Sequence, residues 1–127
     1  MRKASSTFES SAGAMEDNLI EILSSFGYPV YRQGSMSDDE SYPPTFFTFW
    51  NYDSPDHSHY DNSDYGTVWS YNIYVYSDDP ELTYSLLANA RAALKEAGWI
   101  CRGKGFDVQS DEETHTGRGL EIYYLQF

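Results

Sequence analysis

The sequence predicts an α+β fold, a mainly antiparallel sheet of about five strands with two helices packed on one face. Three observations carry that reading. Thr67, Trp69, Tyr71, Ile73 and Val75 alternate with Val68, Ser70, Asn72, Tyr74 and Tyr76, a period of two built from β-branched and aromatic residues that suits a pleated strand. Directly behind it, Asp78-Asp79-Pro80-Glu81 opens a stretch with helical spacing that closes at Gly98. The other extended segments come as neighbours joined by polar turns, and a parallel doubly wound sheet needs more strand-helix crossovers than this chain contains.

Taken in order, residues 1–14 are rich in Ser and Ala without a sustained apolar period, which predicts a disordered or loosely attached arm before a single domain over 15–127. Met15 offers an alternative start. From Glu16 the pattern becomes helical: Leu19, Ile22, Leu23 and Phe26 share a face, Glu16 and Asp17 favour the N-terminal turn, and Gly27 can cap the end. Tyr28 to Gln33 reads as a short extended segment, with Pro29 pointing to an edge position. Gly34 to Pro44 is a loop. Thr45 to Asn51 places Phe47 and Phe49 on one face and Phe46, Thr48 and Trp50 on the other, so both faces want covering.

Tyr52 to Asp64 has the composition of a loop at a hairpin tip. In the strand that follows, the odd-numbered face is the one predicted to meet the core. Pro80 is then the expected first helical residue: an Asp supplies the cap oxygen, proline lacks an N–H where none is needed, and Glu81 adds negative charge at the positive end of the macrodipole. Leu82, Leu86, Ala90, Ala93, Leu94 and Ala97 form its apolar stripe. Trp99 to Arg102 and Phe106 to Gln109 read as one strand with a bulge or bend at Gly103 and Gly105. Ser110 to Gly119 is a polar turn, and Leu120 to Phe127 a last strand with apolar side chains on both faces.

Composition narrows the function classes. The net charge of −12 argues against nucleic-acid binding, which depends on neutralising phosphates with Lys and Arg. No apolar run approaches the roughly 20 residues of a membrane helix, and no apolar segment follows Arg2 and Lys3 to make a signal peptide. A soluble chain with no membrane association is expected. Cys101 is the only cysteine, so an intrachain disulfide is ruled out. The 12 tyrosines offer large area with a polar handle, which favours protein partners.

No catalytic constellation stands out, and the reading is of a protein that is not an enzyme and carries no cofactor. His57 and His59 lie among Asp53, Asp56, Asp61 and Asp64, a donor set for a divalent ion. A coil rich in Asp supplies such a set by composition alone, without a rigid element to fix its geometry, so a protein-contact loop is preferred to a metal site. Cys101 sits in a strand near Trp99 with no histidine close in sequence, as a buried inert thiol does. Gly103 and Gly105 lack the third glycine and the following helix of a nucleotide motif. His115 and Asp111-Glu112-Glu113 lie in a polar turn.

The order of elements adds a resemblance. An N-terminal helix, the Tyr28-Pro29-Val30-Tyr31 entry, the Tyr71-Asn72-Ile73-Tyr74-Val75-Tyr76 strand, the Asp79-Pro80-Glu81-Leu82 helix start, and Thr116-Gly117-Arg118-Gly119 before an aromatic strand follow one another between Met15 and Phe127. In this the chain resembles the small tail-terminator and tail-completion proteins of long-tailed bacteriophages and prophages. The long Tyr/Asp loop and the arm depart from the shorter family pattern. The resemblance implies a non-catalytic head-tail joining protein. Its subunits form a homo-oligomeric ring that caps the tail tube and meets other tail or neck proteins, in the virion tail or neck and in the bacterial cytoplasm during assembly. An alternative from another class is an acidic cytosolic module that inhibits a basic partner by imitating nucleic-acid charge, which clustered carboxylates on one face would favour. A third is a metal-dependent hydrolase built on the His57 and His59 loop.

The predicted contact residues are Tyr52, His57, His59, Tyr60 and Tyr65 around the polar loop, with Tyr123, Leu125 and Phe127 on the outer face of the last strand. Those last three point away from Leu120, Ile122 and Tyr124 and need cover from a helix or from another subunit.

Overall fold

The computed structural model describes residues 12–32, 42–51, 67–110 and 113–126. They form α1 (Ala12–Ser24), β1 (Val30–Arg32), β2 (Thr45–Asn51), β3 (Thr67–Ser77), α2 (Pro80–Glu96), β4 (Ile100–Val108) and β5 (Thr116–Gln126). The strands make one five-stranded sheet in the order β1-β2-β3-β5-β4. β1 runs parallel to β2, and the β2–β3, β3–β5 and β5–β4 pairs are antiparallel. The fold is the predicted α+β class.

The 11-residue β3 is the axis of the sheet, paired along its length with β5 and over its C-terminal part with β2. Its odd-numbered side chains Tyr71, Ile73 and Val75 are fully buried, as the alternation predicts. Both helices lie over that face. Met15, Leu19 and Leu23 from α1 and Leu86, Leu87, Ala90 and Leu94 from α2 close one core with Phe47, Phe49, Trp99, Leu120 and Ile122. α2 opens as expected: Asp79 Oδ1 accepts from the Glu81 N–H at 3.1 Å. It ends in a Schellman pattern, with Gly98 N–H donating to Lys95 O and Trp99 N–H to Leu94 O, and Gly98 takes the positive φ of 101° that the motif needs. Its apolar stripe is shifted slightly: Thr83 and Leu87 are buried, whereas Ala97 is exposed.

Two boundaries differ from the sequence reading. α1 begins at Ala12, a turn before Glu16, so residues 12–14 of the expected arm are helical and Met15 is a core side chain; alanine's high intrinsic helix propensity favours the earlier start. Residues 1–11 lie outside the described ones. β5 begins at Thr116, within the stretch read as a turn. There Gly117 and Gly119 serve the sheet through the space they leave. A Cβ on Gly117 would stand 2.7 Å from both Tyr76 Cε1 and Val108 Cγ2, and one on Gly119 would stand 2.7 Å from Tyr74 Cδ1 and 2.8 Å from Phe106 Cε1. Rings from β3 and β4 thus lie directly over the β5 backbone, a cross-strand shielding of glycine.

The bulge expected in β4 is present as a register shift between Arg102 and Phe106. Gly105 has a φ of 118° and brings its backbone so close to α2 that a Cβ would meet Leu87 Cδ2 at 2.7 Å. Arg118, on the helix side of β5, lies 4.3 Å over the Tyr84 ring of α2 and pairs with Asp107 at 2.6 Å.

Replacing Gly117 with Ala is expected to destabilise the fold by about 1–3 kcal/mol through overpacking against Tyr76 and Val108. Urea melts should show a lower midpoint at unchanged slope; a wild-type midpoint would mean that the rings over β5 move aside freely.

Candidate functional site

With both helices on one face, the opposite face of the sheet has no covering element among the described residues. Strand alternation sends Phe46, Thr48 and Trp50 of β2, Ser70, Asn72, Tyr74 and Tyr76 of β3, and Glu121, Tyr123 and Leu125 of β5 to this side. Tyr31 joins them opposite Thr48, and Ile100 and Arg102 opposite Tyr123 and Glu121.

The rings form a continuous network. Phe46, itself buried, stacks on Tyr76 at 5.3 Å and meets Tyr31 edge-on at 6.0 Å. Tyr42 lies 5.4 Å from Phe46, and Tyr74 lies 6.3 Å from Tyr76. Trp50 Nε1–H donates to the Tyr74 hydroxyl at 2.9 Å, which holds the indole in place. At the other end His115 Nε2 lies 2.8 Å from Pro43 O, and since a carbonyl can only accept, that nitrogen donates. The bond ties the turn before β5 to the segment before β2. The floor remains open to solvent, with Trp50 38% exposed and Phe106 and Leu125 each 43% exposed. A large aromatic surface held by its own contacts is preorganised for binding, because little side-chain entropy remains to be lost.

The two sheet edges are less receptive. β1 is a three-residue strand entered through Pro29, and β4 is broken at its bulge with Lys104 at the break. Short strands, bulges and edge lysines all oppose strand-to-strand addition. Strand-to-strand addition is thereby opposed at both edges.

Polar chemistry is sparse among the described residues. Tyr71 reaches Glu16 Oε2 at 3.4 Å, and Glu16 Oε1 pairs with Arg32 Nε at 3.2 Å, which joins β3, α1 and β1. Burial first, and then the Glu16 charge, push the Tyr71 phenol from its ordinary 10.0 up to about 12. Burial likewise raises the Cys101 thiol above its ordinary value, so the more nucleophilic thiolate is disfavoured. Among the described residues, no three His, Cys, Asp or Glu side chains gather as a metal site. None of the described helices is long and apolar enough to cross a membrane. On the open face, Arg102 meets the Glu121 carboxylate at 3.3 Å.

Of the contact residues predicted from sequence, Tyr123 and Leu125 are on the open face, Tyr123 half-buried and Leu125 exposed. Tyr52, His57, His59, Tyr60, Tyr65 and Phe127 lie outside the described residues. The aromatic floor of Phe46, Trp50, Tyr74 and Tyr76 was not among the predicted contacts, although the two-sided pattern of Thr45 to Asn51 is its visible trace in the sequence. Compared with known proteins, the chain matches no family model and no curated sequence.

The raised Tyr71 pKa has a definite sign. Because the folded chain holds the phenol neutral more strongly, its stabilisation is complete below the ordinary value of 10.0 and is lost as pH rises towards about 12. Stability measured by denaturant melts should fall over that window, and the fall should be shallower in Tyr71→Phe. Parallel curves for the two proteins would refute the assignment.

Proposed function

We propose that this protein is a structural subunit of a bacteriophage or prophage tail, of the tail-terminator or tail-completion kind. It acts by contact, through self-association into a ring and attachment to other tail or neck proteins. The observation that carries the contact role is the one-sided sheet: two helices cover one face and leave on the other an ordered aromatic floor with Trp50, Phe106 and Leu125 exposed. Exposed apolar patches of this kind mark interaction surfaces. The tail assignment rests on the order of elements from Met15 to Phe127, and the acidic, tyrosine-rich composition is consistent with it.

Within the face, Ile100, Tyr123 and Leu125 sit together where β4 and β5 pair, and this end is assigned to the neighbouring subunit. Leu125→Lys places a charge on an exposed position and should weaken self-association while changing monomer stability by less than about 0.5 kcal/mol. Ile122→Lys buries an unpaired charge at a fully buried position and should destabilise the fold by several kcal/mol, on the order of the desolvation cost of a charge. Sedimentation velocity over a concentration series, with denaturant melts of both variants, separates the cases. A wild-type chain that stays monomeric throughout, or a Leu125→Lys chain that associates as well as wild type, would remove the support for this reading.

A further inference from the structure

Charge is distributed unevenly between the two edges of the sheet. From Leu87 to the end of β4 at Val108 the chain carries Arg91, Lys95, Arg102 and Lys104 against Glu96 and Asp107, with Asp107 paired to Arg118 and Arg102 to Glu121 of β5, in a protein whose net charge is −12. All four cations gather at the β4 edge. Arg91 Nε–H donates to Gly103 O at 2.9 Å and so lies against the bulge. Lys95 is four residues further along α2, on the same side, and both charges are felt at Cys101 in β4. Arg102 and Lys104 belong to β4 itself, and Lys95 and Lys104 are exposed.

The opposite edge has the opposite sign. α1 carries Glu16, Asp17 and Glu21 with no Lys or Arg and packs beside β1, whereas α2 packs over β3, β5 and β4. Arg32 takes up Glu16, and Asp17 and Glu21 are exposed. β1 and β4 are the outermost strands of the sheet, so the acidic and basic strips stand at its two ends.

This arrangement selects among ways for two copies to meet. Pairing by a twofold axis at either edge sets cations against cations or anions against anions, whereas joining unlike edges sets opposite charges face to face. We propose that copies of this chain associate head to tail, the cationic β4 edge of one copy, at Lys95 and Lys104, docking on the acidic α1 edge of the next, at Asp17 and Glu21. The proposal rests on the self-association put forward above and assigns its direction and its charged residues. Because both edges oppose strand addition, the contact is made by side chains, and because each copy keeps one edge free, it propagates, as a ring where the rotation between copies closes and as an open filament where it does not.

The test uses the full chain in sedimentation velocity, with two double variants, Lys95→Glu with Lys104→Glu and Asp17→Lys with Glu21→Lys. Each alone carries like charge on both edges and should associate at least ~10-fold more weakly than wild type, while an equimolar mixture of the two should regain association. Raising ionic strength from roughly 0.1 M to roughly 1 M, which shortens the screening length from about 10 Å to about 3 Å, should weaken the wild-type assembly. The single variants Lys104→Glu and Glu21→Lys, with folding checked by circular dichroism, serve if a double variant does not fold. If wild type associates but the charge reversals leave it unchanged, or the mixture is no stronger than its components, the head-to-tail assignment falls and self-association stands. If wild type is monomeric at every concentration, both fall.

Discussion

A sheet has two faces, and in this chain both helices lie on the same one. That constraint governs the remaining side chains. The covered face is an ordinary apolar core of Phe47, Phe49, Ile73, Val75, Leu120 and Ile122 beneath the two helices. On the other face, side chains must shield the strands themselves, and they do so with rings. Phe46 is buried almost entirely by Tyr31, Tyr42, Tyr76 and His115, while Tyr74 and Tyr76 lie over glycines that leave them room. The result is a surface knit together by ring contacts, with no helix over it among the described residues.

The elements most legible in sequence are those whose determinants are local. The alternation of β3, the Asp79-Pro80 entry to α2, the Gly98 cap and the glycine-marked bulge in β4 each depend on a few neighbouring residues, and each is found where the pattern places it. The start of β5 was hidden for the converse reason. Gly117 and Gly119 weaken a strand by their own propensity, and the compensation comes from Tyr74, Tyr76, Phe106 and Val108 on two other strands. No window around Thr116 contains that information. The aromatic floor was partly visible, since Phe46 and Trp50 plainly alternate with Phe47 and Phe49, but which face the helices would cover is decided by the whole fold.

Tyr71, Glu16 and Arg32 show how a polar group is admitted to this core. The Tyr71 ring fills space between Phe49 and Trp99, and its hydroxyl reaches Glu16, which is held in turn by Arg32. The three come from β3, α1 and β1, so satisfying one buried hydroxyl also fixes α1 over the β1 edge. Trp99 makes a second such tie, its Nε1–H donating to Asn18 of α1 at 3.3 Å. α1 is thereby registered by two directional bonds, at Glu16 and Asn18, as well as by apolar packing, which is non-directional.

The position of β5 bears on how the molecule is made. It follows β4 in the chain but lies between β3 and β4 in the sheet, so until it arrives β3 has an open side and β4 has no hydrogen-bonded neighbour. During synthesis the α2 crossover can form early, from local contacts, while the sheet on its far side stays incomplete. Inserting β5 then closes two ladders in one step, and the rings of Tyr74, Tyr76 and Phe106 come to rest on its glycines only at that moment. A chain truncated before β5 would keep Phe46, Trp50, Tyr74 and Tyr76 on β2 and β3 but would lose Tyr123, Leu125 and the glycine backbone on which Tyr74, Tyr76 and Phe106 rest.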